Sequence, residues 1–387
     1  MKIKYKAPLT ILAFTLFLSA ASGYISYHDN VELIERAVQN ELQTVTNVIQ
    51  NGINDQASKA ASTASIFVNE PAVQAALRAR DRDKLIKITV PAFNVQKEKF
   101  GASTGHFHVP PAISFLRVHK VNLYGDDLSS TRELVLAAQT EKRPLQGIEI
   151  STTGVSIKGI DVVKDDKGFI GTFEIGQSFS SVLEDVKKNT GFEAGAFVDD
   201  ALMNRIATEA PKVDLERIIG GYRNVFATDW AKIRNVVTPD LITRVNDITY
   251  EVKEIHGQFL GLVIIPMLDF KGTQIGSIWA VGNFDSYQNE LRTSLITCIS
   301  FALLQALVLA GVVLVVFNAL LLLPIVDIDE KLHELSEGQV NKDEKIDLEI
   351  AHLTHRQDEV GSLARSLEKF NKYIADQRTS TQNPKEK

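Results

Sequence analysis

Cysteine is almost missing from this chain: Cys298 is the only one in 387 residues. No disulfide can staple a single chain, and thiolate metal sites or c-type haem attachment are excluded. Cys298 sits in an apolar run, where it reads as filler and says little about compartment. Basic blocks are missing too. The formal net charge is −6, and no cluster of Lys and Arg could neutralise phosphates, which excludes nucleic acid as an expected partner. No glycine-rich phosphate loop follows a strand. Glu141, Glu149, Asp165 and Asp166 are scattered turn and hairpin acids with no pairing suited to acid–base work. Neither an enzyme nor a cofactor is expected. His352 and His355, with no nucleotide site to serve, read as connector surface rather than phospho-acceptors.

What the chain does contain is two long runs without charge. The longer extends from Thr293 to Val326, between Arg292 and Asp327. As a helix it would be about 50 Å long, well beyond the roughly 20 residues that cross a hydrocarbon core. The other, Ala7 to His28, follows Lys2, Lys4 and Lys6 and precedes Asp29, Glu32 and Glu35. Lysines before and acids after place the N-terminus in the cytoplasm. Leu18-Ser19-Ala20-Ala21 offers a competing reading as a cleaved signal peptide, but the length of the run and the helical pattern beyond it favour an uncleaved anchor. Two spans put residues 29–291 outside and 327–387 inside.

Between the spans the period changes. Val31, Ile34, Val38, Leu42, Val45 and Ile49 recur at helical spacing, and Ala57, Ala60, Ala61 and Ala64 permit close helix contact, giving a stalk over 29–100 that can pair with a copy of itself. Alternating segments follow at Ile113 to His119, Gln146 to Ser151, Val155 to Val163 and Phe169 to Gly176. After a helix with Val182, Leu183 and Val186 come Ala194 to Val198, Tyr222 to Ala227, Ile248 to Lys253, Phe259 to Leu268 and Gln274 to Phe284. Val163-Lys164-Asp165-Asp166-Lys167-Gly168-Phe169-Ile170-Gly171 is echoed by Met267-Leu268-Asp269-Phe270-Lys271-Gly272-Thr273-Gln274-Ile275-Gly276. Two copies of one antiparallel hairpin module are expected, within an α+β chain.

This arrangement resembles the double Cache (PAS-like) sensor region of bacterial chemoreceptors and sensor kinases, over residues 29–291. The spaced Tyr, Arg, Trp, Tyr and Asp of the amino-acid-binding Cache signature is not recognisable. Beyond the second span, Pro324 and Asp358-Glu359-Val360-Gly361-Ser362-Leu363 resemble a HAMP domain, a parallel four-helix bundle made by two chains. Its first helix would run from Ile325 to Glu337, ended by Gly338. The connector would pass through Ile346, Leu348, Ile350 and Leu353, and the second helix through Leu367, Phe370 and Ile374. The resemblance implies these divisions: 1–6 cytoplasmic, 7–28 first span, 29–100 stalk, 101–190 membrane-distal Cache module, 191–291 membrane-proximal module, 293–323 second span, 324–375 HAMP, and 376–387 a polar disordered tail. No output domain is recognisable, so output is expected through a partner protein.

Candidate chemistry centres on one expected strand. There Ile113, Phe115, Arg117 and His119 would share a face, with Arg117 offering a planar fork to a small anion or organic acid and His119 a second donor. The bland alternative pairs Arg117 with Asp126 or Asp127 to pin a loop. Those two acids could instead bind an amine or cation, or cap the following helix. His106 and His108 form a His-x-His pair, but Pro110-Pro111 directly after them suggests a rigid turn, and no metal is expected. The expectation is a homodimeric receptor for a small extracytoplasmic solute. The alternative is an envelope scaffold whose outer part binds a protein and whose inner helices only dimerise.

Overall fold

The computed structural model describes residues 3–242, 246–337 and 348–382. They form two compact units, 33–290 and the combination of 1–32 with 291–387.

The first unit is α+β. Helix α1 (Ile3–Val68), shared with the other unit, is followed by α2 (Pro71–Arg78) and α3 (Arg82–Phe100), which Gly101 ends in the left-handed conformation. Strands β1 (Ala102–Val109), β2 (Ile113–Arg117), β3 (Leu145–Ser151), β4 (Gly154–Asp165) and β5 (Gly168–Gln177) make an antiparallel sheet in the order β2-β1-β5-β4-β3, with α4 (Glu133–Glu141) between β2 and β3. After α5 (Phe179–Thr190), strands β6 (Glu193–Asp199), β7 (Ile218–Ile219), β8 (Tyr222–Ala227), β9 (Thr249–Ile255), β10 (Gln258–Leu268) and β11 (Gln274–Asn283) make the second sheet, ordered β7-β8-β6-β11-β10-β9. Short helices α6 (Asp200–Ile206), α7 (Trp230–Val236) and α8 (Pro239–Ile242) fill its connections.

The echoed hairpins are the turns β4–β5 and β10–β11. Asp165 Oδ1 accepts the Lys167 amide, and Asp269 Oδ1 accepts those of Lys271 and Thr273, so one Asp closes each turn in the same way. The small residues of α1 meet a sheet rather than another helix. A methyl group on Gly159 of β4 would overlap the backbone of Ala60 and Ala61. Around this contact Phe67, Leu77, Phe93, Phe107, Leu116 and Phe173 form one core, and Leu42, Val45 and Ile49 pack with α5 and sheet two in another.

The two sheets treat their opposite faces differently. Under α7, sheet two presents Phe197, Leu262, Ile264 and Trp279 to Ile233 and Val236, an apolar layer. Under α4, the matching face of sheet one carries only a small apolar cluster of Ala112, Leu128, Leu134, Val135, Ala138 and Ile160. The remainder of that face is polar.

In the other unit, α1 and α9 (Asp285–Phe317) belong to the two helices long and apolar enough to cross a membrane. Asn30 and Ser26 of α1 meet Cys298 of α9 at 3.7 and 3.8 Å, and Gly23 lets Ala302 approach. A π-helical turn, Asn318–Leu322, leads into α10 (Leu323–Ser336), then α11 (Leu348–Ala351) and α12 (Glu359–Gln382). The expected stop at Gly338, the connector residue Ile346 and the tail beyond 382 lie outside the described residues. Residues 376–382, expected in the tail, continue α12, since no Gly or Pro interrupts them.

Candidate functional site

The polar face of sheet one is built by parity. His106 opposes Glu174, His108 opposes Thr172, and Ile160 opposes Glu174 from the other side, so these side chains all project away from α1–α3. On β4, Lys158 shares this face with Ile160, and Glu149 of β3 shares it opposite Ser156. Arg132, at the N-terminus of α4, closes the set from above. Arg132, Glu149, Lys158 and Glu174 are each at most 5% exposed. Arg132 Nε donates to Glu149 Oε2 at 3.0 Å, its Nη2 pairs with Glu174, and Lys158 Nζ donates to Glu174 Oε1 at 3.0 Å. Glu149 Oε1 also accepts the Leu134 amide at 2.9 Å, so a strand residue caps α4.

Burial alone would raise the Glu174 carboxyl, but Arg132 and then Lys158 outweigh it and hold the group well below the usual carboxylate range. Burial, followed by the Arg132 charge, lowers Lys158. Burial also keeps both histidines neutral, His108 falling to about 3. Lys158 hydrogen-bonds Glu174 alone among the described residues, and the buried Ser156 hydroxyl two residues before it has no partner there. The face therefore holds donors beyond what its two carboxylates use.

The residues expected to bind are placed around the edge. Register shifts by one residue where Phe107 and His108 face Leu116 and Ser114, making Phe115 a bulge. Phe115 consequently packs on the inner core while Arg117 joins His106 on the polar face, so the two do not share a face as strict alternation would require. Arg117 forks onto Asp126 at 2.7 and 2.6 Å and reaches the Leu123 carbonyl at 3.2 Å, clasping the loop after β2. Asp127 Oδ1 accepts the Ser129 amide at 2.9 Å, and His119 Nδ1 lies 3.1 Å from the Gly105 carbonyl. His106 and His108 sit within β1 rather than in a turn. One ring nitrogen of each lies within 4.8 Å of a Glu174 oxygen and of the other.

The residues expected to transmit the signal also form a defined junction. Pro324 has no N–H to offer the Leu320 carbonyl, which instead accepts Arg356 Nη2 at 3.0 Å. Arg356 pairs with Asp358 at 2.6 Å, and Asp358 Oδ1 accepts the Gly361 amide at 3.0 Å in the first turn of α12. A methyl on Gly361 would overlap the Arg356 carbonyl. Glu359 begins α12, and Leu363 is exposed on it.

A family profile described as the double sensory domain of two-component sensor kinases matches residues 35–279. The chain belongs to this family. Its double sensory domain is thus the part that contains both sheets, and the role the family describes for that part is sensory. No curated protein sequence matches significantly. Among solved structures, the ligand-binding domain of the Campylobacter jejuni chemoreceptor Tlp3 in complex with L-valine is 10% identical, at a TM-score of 0.42 over 67% of this chain and 97% of that one. The sensor domain of the Vibrio cholerae histidine kinase DctB is 10% identical, at 0.40 over 64% and 98%. The Vibrio cholerae LuxQ periplasmic domain is 9% identical, at 0.38 over 63% and 98%.

Sequence reasoning missed Arg132, Lys158 and Glu174. The signal was present: Lys158 lies between Ile157 and Gly159-Ile160, and Glu174 between Phe173 and Ile175, each a lone charge inside an apolar strand. Such a charge is buried on one face or the other, and it needs a partner there.

Proposed function

We propose that the double sensory domain binds a small organic acid on the polar face of its first module, with Arg132 and Lys158 as the groups that take its carboxylate. One observation carries this: the second sheet centres the corresponding face on Trp279, Phe197 and aliphatic residues, with the neutral Asn224 and Ser277 among them and Glu193 held at its edge by Lys187 and Lys232, whereas the first buries Arg132, Glu149, Lys158 and Glu174 together under α4. Buried ion pairs are seldom more stable than apolar packing of the same volume, so stability alone does not account for them. The Arg117–Asp126 clasp, with Asp127 and His119 beside it, holds the loop over this face.

In this reading the chain is a receptor of the bacterial inner membrane. It crosses twice, with 29–291 outside and both termini in the cytoplasm, and the first module is membrane-distal. Two copies pair. Ligand binding shifts α9, and residues 324–375, acting as a HAMP-like four-helix bundle, convert the shift into a signal for a cytoplasmic partner protein. A ligand biases such a bundle only by its differential affinity for the two states, about 1–3 kcal/mol of coupling.

The test is thermal unfolding of the full chain in detergent against a panel of small mono- and dicarboxylates. A binding acid at a hundredfold excess over its Kd adds about 2.7 kcal/mol and raises Tm. Arg132→Lys, which keeps the charge and loses the fork, should unfold cooperatively yet lose that rise. An equal rise in both proteins, or none with any acid, rejects the site.

A further inference from the structure

We infer that His106, His108 and Glu174 form a site for a divalent first-row transition ion such as zinc. This goes beyond the organic-acid reading and stands apart from it, because ion binding is measured directly. All three side chains are at most 3% exposed, and one donor atom from each lies within 4.8 Å of the other two. Two imidazoles and a carboxylate are the ligand types such ions take, and three protein ligands leave coordination positions open.

The hydrogen bonds around the set orient it. Ser114 Oγ holds His106 Nε2 at 2.8 Å, leaving Nδ1 turned towards Glu174 Oε1 at 4.0 Å. Thr172 Oγ1 lies 3.4 Å from His108 Nδ1, and the buried His108 Nε2 has no partner among the described residues. An unpartnered imidazole nitrogen this deep is costly unless something uses it. Each histidine thus has one ring nitrogen beside a hydroxyl and the other without a hydrogen-bond partner on the described side chains, as second-layer hydrogen bonds leave imidazoles in metal sites. Glu174 is held by Arg132 on Oε2 and by Lys158 on Oε1, so an ion would share Oε1 with the Lys158 ammonium through its second lone pair. The strand pairing explains why the donors converge: His106 stands opposite Glu174 on β5, and two residues along β1 His108 projects from the same face.

Charge defines what else binds. Glu149 and Glu174 balance Arg132 and Lys158, so a divalent ion arrives on a neutral set and draws in an anion at its open positions. The ion and a carboxylate should therefore strengthen each other's binding, by equal factors.

The test is equilibrium dialysis of the chelator-stripped full chain in detergent against zinc, in chloride buffer and with succinate added. Cobalt substitution, read by visible absorption, serves as a spectroscopic check. About one ion per chain is expected, held more tightly with succinate. His108→Ala and His106→Gln, shown to be folded by unchanged cooperative melting, should bind at least about tenfold more weakly. The inference is overturned by less than about a tenth of an equivalent in both buffers, or by binding that both variants leave unaltered. Either result leaves the organic-acid reading standing, and loss of the acid response in Arg132→Lys leaves the ion site standing.

Discussion

Arg132 joins two carboxylates from different strands to the start of a helix, and its worth depends on all three contacts being made together. Glu149 uses one oxygen on Arg132 and the other on the Leu134 amide, while Glu174 divides its oxygens between Arg132 and Lys158. Losing any one member would leave a buried charge without its partner, and for that reason the four act as a unit. The neutral histidines set the acid behaviour of this region. Burial, only partly opposed by the hydrogen bond with Gly105, holds His119 below the usual 6.5 of imidazole, and His106 and His108 are lowered in the same direction. A lowered folded pKa means that the unfolded chain takes the proton first. The stabilisation is therefore complete above about pH 6.5 and is lost as pH falls towards the folded values. We expect Tm, measured with a chelator present, to change little between about pH 7 and 8 and to drop between about 6.5 and 5. His119→Gln should flatten that drop, and a Tm that rises on acidification would contradict the assignment. Arg117 and Asp126 were legible in the sequence as a possible pair because they are close in the chain. The Arg132–Glu174 pairing was not, since 42 positions separate the two and only the sheet brings them together.

At the scale of elements, alternation identified most strands, because their inward residues are branched or aromatic and their outward ones are not. It failed at β1, where Ser103, Thr104, His106 and His108 interrupt the apolar pattern. Ser103 is an exposed residue at a register shift, and His106 and His108 face a buried polar layer, a case in which half-buried and polar cease to be opposites. The alanines of α1 were read as a surface for close contact with another helix, and the close contact they make is with a strand instead. The partner is the Gly159 backbone, since only a residue without a Cβ lets a helix lie that close to a strand. Gly159→Ala should therefore force α1 away from β4 and cost about 1–3 kcal/mol or more of the stability of the unit 33–290, measured by urea unfolding of the full chain. Gly168→Ala is the control for the loss of glycine itself, because nothing lies within 4 Å of a methyl group there. Its positive φ of 105° makes that substitution strained without any clash, so a cost at Gly159 no larger than at Gly168 would show that the helix can yield.

For the molecule as a whole, α10 and α12 leave one seam closed and another open. Ile350, Leu353, Ala364 and Leu367 pack with Ile328 and Leu335 within the chain, so α10 and α12 already share an apolar contact. Leu363 and Phe370, seven residues apart on the same stripe of α12, are 55% and 51% exposed, and Leu332 of α10 is 51% exposed. Heptad spacing of exposed apolar residues is what a helix shows to another helix, and the HAMP-like opening at Asp358 supplies the reason to expect that helix from a second copy. In a Cys298→Ser background, mild oxidation of intact membranes should link Leu363→Cys to its counterpart in the sister chain, and Phe370→Cys likewise. Lys372→Cys, turned about half a circle from Leu363 on the helix, should not link. Should Lys372→Cys cross-link as readily as Leu363→Cys, the open seam is not where two copies meet. A signal entering through α9 would then need another route to a partner protein, because a bundle with two packings requires four helices and one chain supplies two.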